Sequence, residues 1–290
     1  MNNKRIIITD SASDISMDAE KLLDIKVLPF QVAIDGQTYV SRKDFSNEDF
    51  YEMLKTANKI PTTSQITPFE FQELYNELYQ EGYEDVIIVL INSKGSATYN
   101  NSKSAINSFL EDHPEAKGKI NIYPIDARSY TCAYGYPVTV AARMLKDGKK
   151  TKAIVEYLED YMQRSIIYAG LYTLKYAGKS GRIPSAAAFV GDALGLKPLM
   201  RICDNEITTK DKVRGEKKII PAILDKIAEV IEPKGEYVVV YGDDENVRDQ
   251  MIEAATTRFG YPPVDSYRIG AAIAINAGPK VVGISCLRKK

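Results

Sequence analysis

Short apolar runs alternate with amphipathic stretches along the first half of the chain. Arg5 to Thr9 ends at the polar turn Asp10-Ser11-Ala12-Ser13-Asp14, Val86 to Ile91 at Asn92-Ser93-Lys94-Gly95-Ser96, and Ile120 to Ile125 at Asp126-Ala127-Arg128-Ser129. Each run precedes a helical pattern, so the order predicts βα units around a mainly parallel sheet. Lys152 to Arg164 carries Ile154, Val155, Leu158, Tyr161 and Met162 on one side and reads as the helix closing a first α/β domain, residues 1–165. A second α/β domain is expected over 166–290. It opens on the strand-like Ile166 to Leu174 and continues with an alanine-rich helix, Ser185 to Leu196, and a polar hairpin at Asp204-Asn205. A helix from Lys217 to Ile231, a strand from Tyr237 to Tyr241, a helix from Asn246 to Phe259 stopped by Gly260, and a strand from Val281 to Leu287 complete it.

Ligands of parallel sheets sit beyond the carboxyl ends of the strands. Here all three strand ends are clusters of Ser, Asp and Asn. A fourth hydroxyl cluster lies in Pro61-Thr62-Thr63-Ser64-Gln65-Ile66-Thr67-Pro68-Phe69-Glu70. Thr67 and Glu70 form a capping box with Pro68 at the first helical position, and one cap needs one side-chain oxygen. Thr62, Thr63, Ser64 and Gln65 are therefore surplus. The segment Pro184 to Leu196 holds four alanines and two glycines among large apolar residues. Small side chains there serve close packing of the helix on a sheet, or else leave a long, dry slot able to hold an acyl chain. An apolar tail gains about 0.8 kcal/mol per buried methylene. Its carboxylate needs donors such as Ser and Thr hydroxyls and backbone N–H groups, because an unpaired buried charge is costly.

Composition removes other classes. With 38 basic and 39 acidic residues the net charge is −1, so no global field recruits nucleic acid or an anionic membrane. The three cysteines, Cys132, Cys203 and Cys286, have no paired spacing, which fits a reducing cytoplasm. The N-terminal apolar run stops after three isoleucines, too short for a secretory signal, and no stretch reaches a membrane span. The one histidine, His113, sits among charged residues before a proline, which disfavours histidine-based catalytic and metal sites. Gly178-Lys179-Ser180 lacks the earlier glycine of a phosphate-binding loop, since Thr173 stands there. No cofactor motif is present. A rival reading keeps Asp10, Ser11, Asp14 and Asp126 as a Mg2+-assisted site for a small phosphorylated substrate.

The order of these motifs resembles that of the DegV family, the fatty-acid-binding subunits of bacterial fatty acid kinase. The likeness runs nearly end to end. It is carried by Ile7 to Asp14, Val27-Leu28-Pro29-Phe30 through Gly36 and Tyr39, Thr63-Ser64-Gln65, Asn92 to Tyr99, Asp126 to Ser129, Tyr176 to Ile183 and Leu196-Lys197-Pro198-Leu199. The resemblance implies a long-chain fatty acid buried between two α/β domains. It further implies a separate ATP-dependent kinase subunit that phosphorylates the carboxylate, and an acyl phosphate that feeds phospholipid synthesis. Carried over by position, Thr63, Ser93, Ser96, Ser64, Asn276 and Gly278 would form the head-group site, and Arg182, Arg201 and Arg214 would meet the kinase. The chain departs from the family pattern where a histidine is usual, since Asn276 stands there and Lys280 follows. A lipid-binding protein without a kinase partner is the corresponding second reading.

Overall fold

The computed structural model describes residues 4–182 and 195–289. Most of the alanine-rich segment read as a slot-lining helix lies outside the described residues. The first domain contains β1 (Arg5–Asp10), α1 (Met17–Leu23), β2 (Ile25–Leu28), β3 (Gln31–Ile34), β4 (Gln37–Val40), α2 (Asn47–Thr56) and β5 (Thr62–Ser64). It continues with α3 (Pro68–Gln80), β6 (Asp85–Leu90), α4 (Thr98–Asp112), β7 (Asn121–Asp126), α5 (Cys132–Lys146) and α6 (Thr151–Arg164). Strands β2-β1-β6-β7 form a four-stranded, all-parallel sheet. β6 is buried along its whole length, which is why it reads as a continuous apolar run. Beside it, β4-β3-β5 make a small antiparallel sheet in which Thr63 stands opposite Val32.

The second domain contains β8 (Ser165–Leu171), α7 (Ala177–Ser180), β9 (Leu196–Cys203), β10 (Glu206–Arg214), α8 (Ile219–Val230) and β11 (Tyr237–Tyr241). After these come α9 (Glu245–Phe259), β12 (Asp265–Arg268), α10 (Ala271–Ala277) and β13 (Val281–Leu287). The sheet order is β10-β9-β8-β13-β11-β12, antiparallel except for the parallel β11–β12 pair. All seven residues of β8 are buried, yet its two faces differ. Ile167, Ala169 and Leu171 join a core shared with the first domain, whereas Ile166 and Tyr168 pack on the outer face with Ile223 and Ile227 of α8 and Met251 of α9. Period-two alternation therefore sends every second residue toward the domain junction.

No helix among the described residues is long and apolar enough to cross a membrane. The three cysteines are free and buried.

The β9–β10 hairpin is tied to the first domain through its turn. Asp204 and Asn205 both have left-handed backbone, with φ of 54° and 64°, as a two-residue hairpin turn requires. The Asn205 amide oxygen accepts from Arg128 Nε at 2.8 Å, and its nitrogen donates to Ser93 Oγ at 3.1 Å and Asp126 Oδ2 at 2.9 Å. Replacing Asn205 by Gly keeps the turn but deletes these bonds, and is expected to cost about 1–3 kcal/mol in urea unfolding. Asn205→Ala should cost roughly a further 1 kcal/mol through its left-handed backbone. Equal stabilities of wild type and Asn205→Gly would show that the turn contributes no tie between the domains.

Candidate functional site

A cavity of about 380 Å3 lies between the domains, within the usual range for a small-ligand site. Ile167, Ala169 and Leu171 of β8, Met200 and Ile202 of β9, and Ile207 of β10 form its floor. Ala272, Ile273 and Ala277 of α10 cover one side, and Phe30, Ile91 and Tyr130 of the first domain face them. Polar groups gather at one rim, where Thr63, Ser64, Gln65, Ser96, Arg182 and Asn276 reach the surface of the cavity, while Thr131 lines it from a buried position near Asp14.

The hydroxyl loops meet because the start of α4 joins them. The Thr98 hydroxyl accepts from Ile66 N–H at 3.4 Å and lies 2.9 Å from Ser96 Oγ. Asn101 Nδ2 donates to the Ile66 carbonyl at 2.8 Å. The loop after β6 is built by Asn92, whose Oδ1 accepts from Lys94 N–H at 2.8 Å, and is anchored by Asp10, whose Oδ2 accepts from Ile91 N–H at 2.7 Å. A Cβ on Gly95 would run into the Tyr130 hydroxyl, so a larger residue there would have to push that ring aside. The Gly95 carbonyl in turn accepts from Arg182 Nε at 3.2 Å. Burial pushes the Tyr130 hydroxyl up to about 12, which keeps it protonated.

The residues picked out in the sequence divide in two. Thr63, Ser64, Ser96 and Asn276 come together on the rim. Ser93 does not line the cavity. Its hydroxyl donates to Asp126 Oδ2 at 2.5 Å and its N–H to Asp126 Oδ1 at 3.1 Å, so this serine belongs to the hairpin tie. Gly278 lies behind the rim at the end of α10, with φ of 88° and room for a Cβ only 3.0 Å from the Tyr176 ring. It shapes the wall through Tyr176 and does not line the cavity. Lys280, the cation considered as a substitute for histidine, also points elsewhere. Its ammonium is 3.1 Å from Glu216 and 4.6 Å from the Tyr172 ring centroid.

Asn276 turns its amide nitrogen back to the Ala272 carbonyl at 2.9 Å, and its Oδ1 is buried without a hydrogen-bond partner. The amide therefore offers no free donor to a carboxylate as it stands, and must swing away from α10 to serve one.

The three arginines do not form one patch. Arg182 lines the cavity mouth. Arg201 pairs across β8 with Tyr168, alternates with the cavity-lining Met200 and Ile202, and so lies on the opposite face of the sheet. Arg214 is exposed at the far end of β10, opposite Leu196.

Two of the three carboxylates of the rival metal reading, Asp10 and Asp126, are committed within the fold. Asp10 accepts from Ile91 N–H, Ala12 N–H and the Tyr134 hydroxyl at 2.6 Å, and Asp126 serves Ser93, Arg128 and Asn205. A cation at either would have to displace these donors. Among the described residues no group of three or more His, Cys, Asp or Glu stands in metal-binding proximity, and the cavity lining carries no carboxylate, thiol or imidazole. The arrangement supplies binding groups at one end and an apolar enclosure at the other.

Tyr130, Thr131 and the inward faces of β8, β9 and α10 were not singled out in the sequence. Tyr130 and Thr131 directly follow the strand-end cluster Asp126 to Ser129, so extending that cluster by two residues would have reached them.

Residues 4–289 match the family of uncharacterised proteins named DegV. A DegV domain-containing protein of Caldanaerobacter subterraneus is 31% identical over 283 residues, covering 97% of this chain and 98% of that one. Among solved structures, a hypothetical Thermotoga maritima protein reported to have a fatty acid binding function aligns with a TM-score of 0.82 at 25% identity, over 99% of this chain and 100% of that one. DegV of Bacillus subtilis, a fatty acid binding protein, gives 0.82 at 26% identity with the same coverage.

Proposed function

The chain belongs to the DegV family, and on that premise we propose that it binds a long-chain fatty acid, tail inward and carboxylate at the hydroxyl rim. The observation that carries this reading is the polarity of the cavity: an enclosed apolar floor with Thr63, Ser64, Ser96 and Asn276 gathered at one end. Each buried methylene of the tail contributes about 0.8 kcal/mol. The carboxylate, left at the rim, keeps its charge solvated or hydrogen-bonded. The Bacillus subtilis and Thermotoga maritima relatives support the same reading.

The protein then acts in the cytoplasm as the carrier that offers the carboxylate to a separate ATP-dependent fatty acid kinase, supplying acyl phosphate for phospholipid synthesis. Arg182 at the mouth is the contact proposed for the kinase. Arg201 and Arg214 stand away from it.

Organic extraction and native mass spectrometry of purified protein test the binding. Bound acids with long chains are expected, together with a thermal upshift on adding oleate. Lipid-free protein that shows no shift would end the reading. Asn276→His tests the head-group position. Imidazolium supplies the donor and the charge that the amide lacks, so oleate should bind about tenfold more tightly below about pH 6.5. Unchanged affinity at pH 6 would remove Asn276 from the head-group site.

A further inference from the structure

A separate cavity of about 350 Å3 lies elsewhere on the domain junction. It meets the apolar cavity only at the first turn of α10, where Ala272 lines both. Its walls come from the loop after β1, the start of α2, α5, β12 and the start of α10. The apolar cavity has one charged side chain in its lining, Arg182. This one has three carboxyls, Asp14, Glu48 and Asp265, and three guanidinium groups, Arg42, Arg143 and Arg268. Their charges balance, so no net field selects a phosphate or a polycation.

Most of these groups are matched within the fold. Arg42 pairs with Glu20 and donates to the Ile15 carbonyl at 2.7 Å, and Arg268 bridges Glu48 and Asp243. Asp265 accepts from Ser266 N–H at 2.7 Å. Three groups facing the cavity keep donors or acceptors free. Asp14 is nine-tenths buried, and its Oδ2 has no hydrogen-bond partner. The Thr131 hydroxyl close to it completes no bond either. The Asn47 amide and the exposed Arg143 guanidinium make no hydrogen bond among the described residues. Asn47 Oδ1 and Asp14 Oδ1 converge over Gly270, where a Cβ would stand 3.2 Å and 3.1 Å from them. The missing side chain lets carboxyl and amide meet at one point of the wall.

Burial raises the Asp14 carboxyl to about 7, so near neutral pH both of its protonation states are present. An ammonium suits only the carboxylate, and a phosphate only the acid. A hydroxyl donates to the one and accepts from the other. Asn47 likewise offers both a donor and an acceptor, and Arg143 offers donors.

We propose that this cavity binds a small uncharged polyol, with neighbouring hydroxyls on Asp14 and Asn47 and a further one on Arg143 at the mouth. The site is distinct from the apolar cavity and does not require a fatty acid to be bound there.

Ligand-observed NMR titration with D-ribose, D-glucose, myo-inositol, glycine betaine and inorganic phosphate tests it, on wild type and on Asn47→Ala/Arg143→Ala. At least one polyol should bind wild type, and about tenfold more tightly than it binds the variant. Asp14→Asn keeps a donor and an acceptor in place and should bind that polyol within about threefold of wild type. Oleate affinity should be the same in all three proteins, which separates this result from the acyl reading. No polyol binding, or equal binding to wild type and the double variant, overturns the site. Loss of binding in Asp14→Asn, or tighter binding of betaine or phosphate than of every polyol, assigns the cavity to a charged ligand and overturns the uncharged class.

Discussion

Replacing Ala169 by Phe is expected to abolish long-chain fatty acid binding while leaving the fold intact. Ala169 sits in the middle of β8, on the face that forms the cavity floor, between Ile167 and Leu171. A benzyl group there has empty space to enter. It would exclude part of the tail, and displacing four methylenes costs about 3 kcal/mol, more than about a hundredfold in Kd. Octanoate, with little tail to displace, should lose far less. The check is competition of oleate and octanoate against a fluorescent fatty acid, with Tm measured on the same samples. Undiminished oleate binding would mean that the acyl chain lies elsewhere. A large fall in Tm would mean that the ring meets packed atoms and that the cavity cannot expand to hold it.

The position of this residue also shows where sequence reading stops. Three of the four strands of the parallel sheet, β1, β6 and β7, were legible because they are apolar runs that end in polar clusters, whereas the four-residue edge strand β2 was not. The capping box at Thr67 and Glu70 is formed as expected, with Thr67 N–H to Glu70 Oε2 at 2.8 Å and Glu70 N–H to Thr67 Oγ1 at 3.2 Å. β8, however, is buried on both faces, so its alternation is invisible in hydrophobicity, and nothing in Ile166 to Leu171 says which residues face the cavity. The three-stranded sheet was missed because its strands have only three or four residues and one of them, β5, has no apolar residue at all. The hydroxyls of Thr62 to Ser64 that looked surplus are partly explained by it, since that segment pairs with β3.

Site residues were legible as a class and not as individuals. Ser93 and Ser96 occur in one loop with the same chemistry, yet one binds Asp126 and the other faces the cavity. The choice is made by Asp126 and Asn205, which approach from β7 and from the second domain. Asn276 is a similar case. Its sequence position suggested a donor, but the Ala272 carbonyl one turn earlier claims that donor. Local competition of this kind is decided by geometry that residue spacing does not encode.

Folding stability is expected to fall as pH rises from 5 to 8, and Asp14 is the reason. This carboxyl is buried at the domain junction. Its Oδ1 accepts from Gly270 N–H, just ahead of α10, at 2.8 Å, and its Oδ2 has no partner in the structure. Burial raises it from 3.8 to about 7, against the opposing pull of its hydrogen bonds and of Arg42, and with a further push from Asp10. Asp10 is raised to about 6 by the same desolvation, which outweighs its three donors. A carboxyl raised in the folded state binds its proton more tightly there than in the unfolded chain. Its contribution is therefore greatest at low pH and is lost as pH climbs toward the folded value. Between pH 5 and 8 Asp14 should account for a loss of about 3 kcal/mol, at roughly 1.4 kcal/mol per unit. In Asp14→Asn the Oδ1 acceptor for Gly270 remains and the titration is gone, so only the smaller fall below pH 6 from Asp10 should persist. Urea unfolding of both proteins across this range measures the difference directly. Parallel curves for wild type and variant would show that Asp14 does not titrate in this window, whereas curves that separate steadily from pH 5 and run parallel again above about pH 7 identify it as a proton held at the junction between the first domain and the helix that carries Asn276.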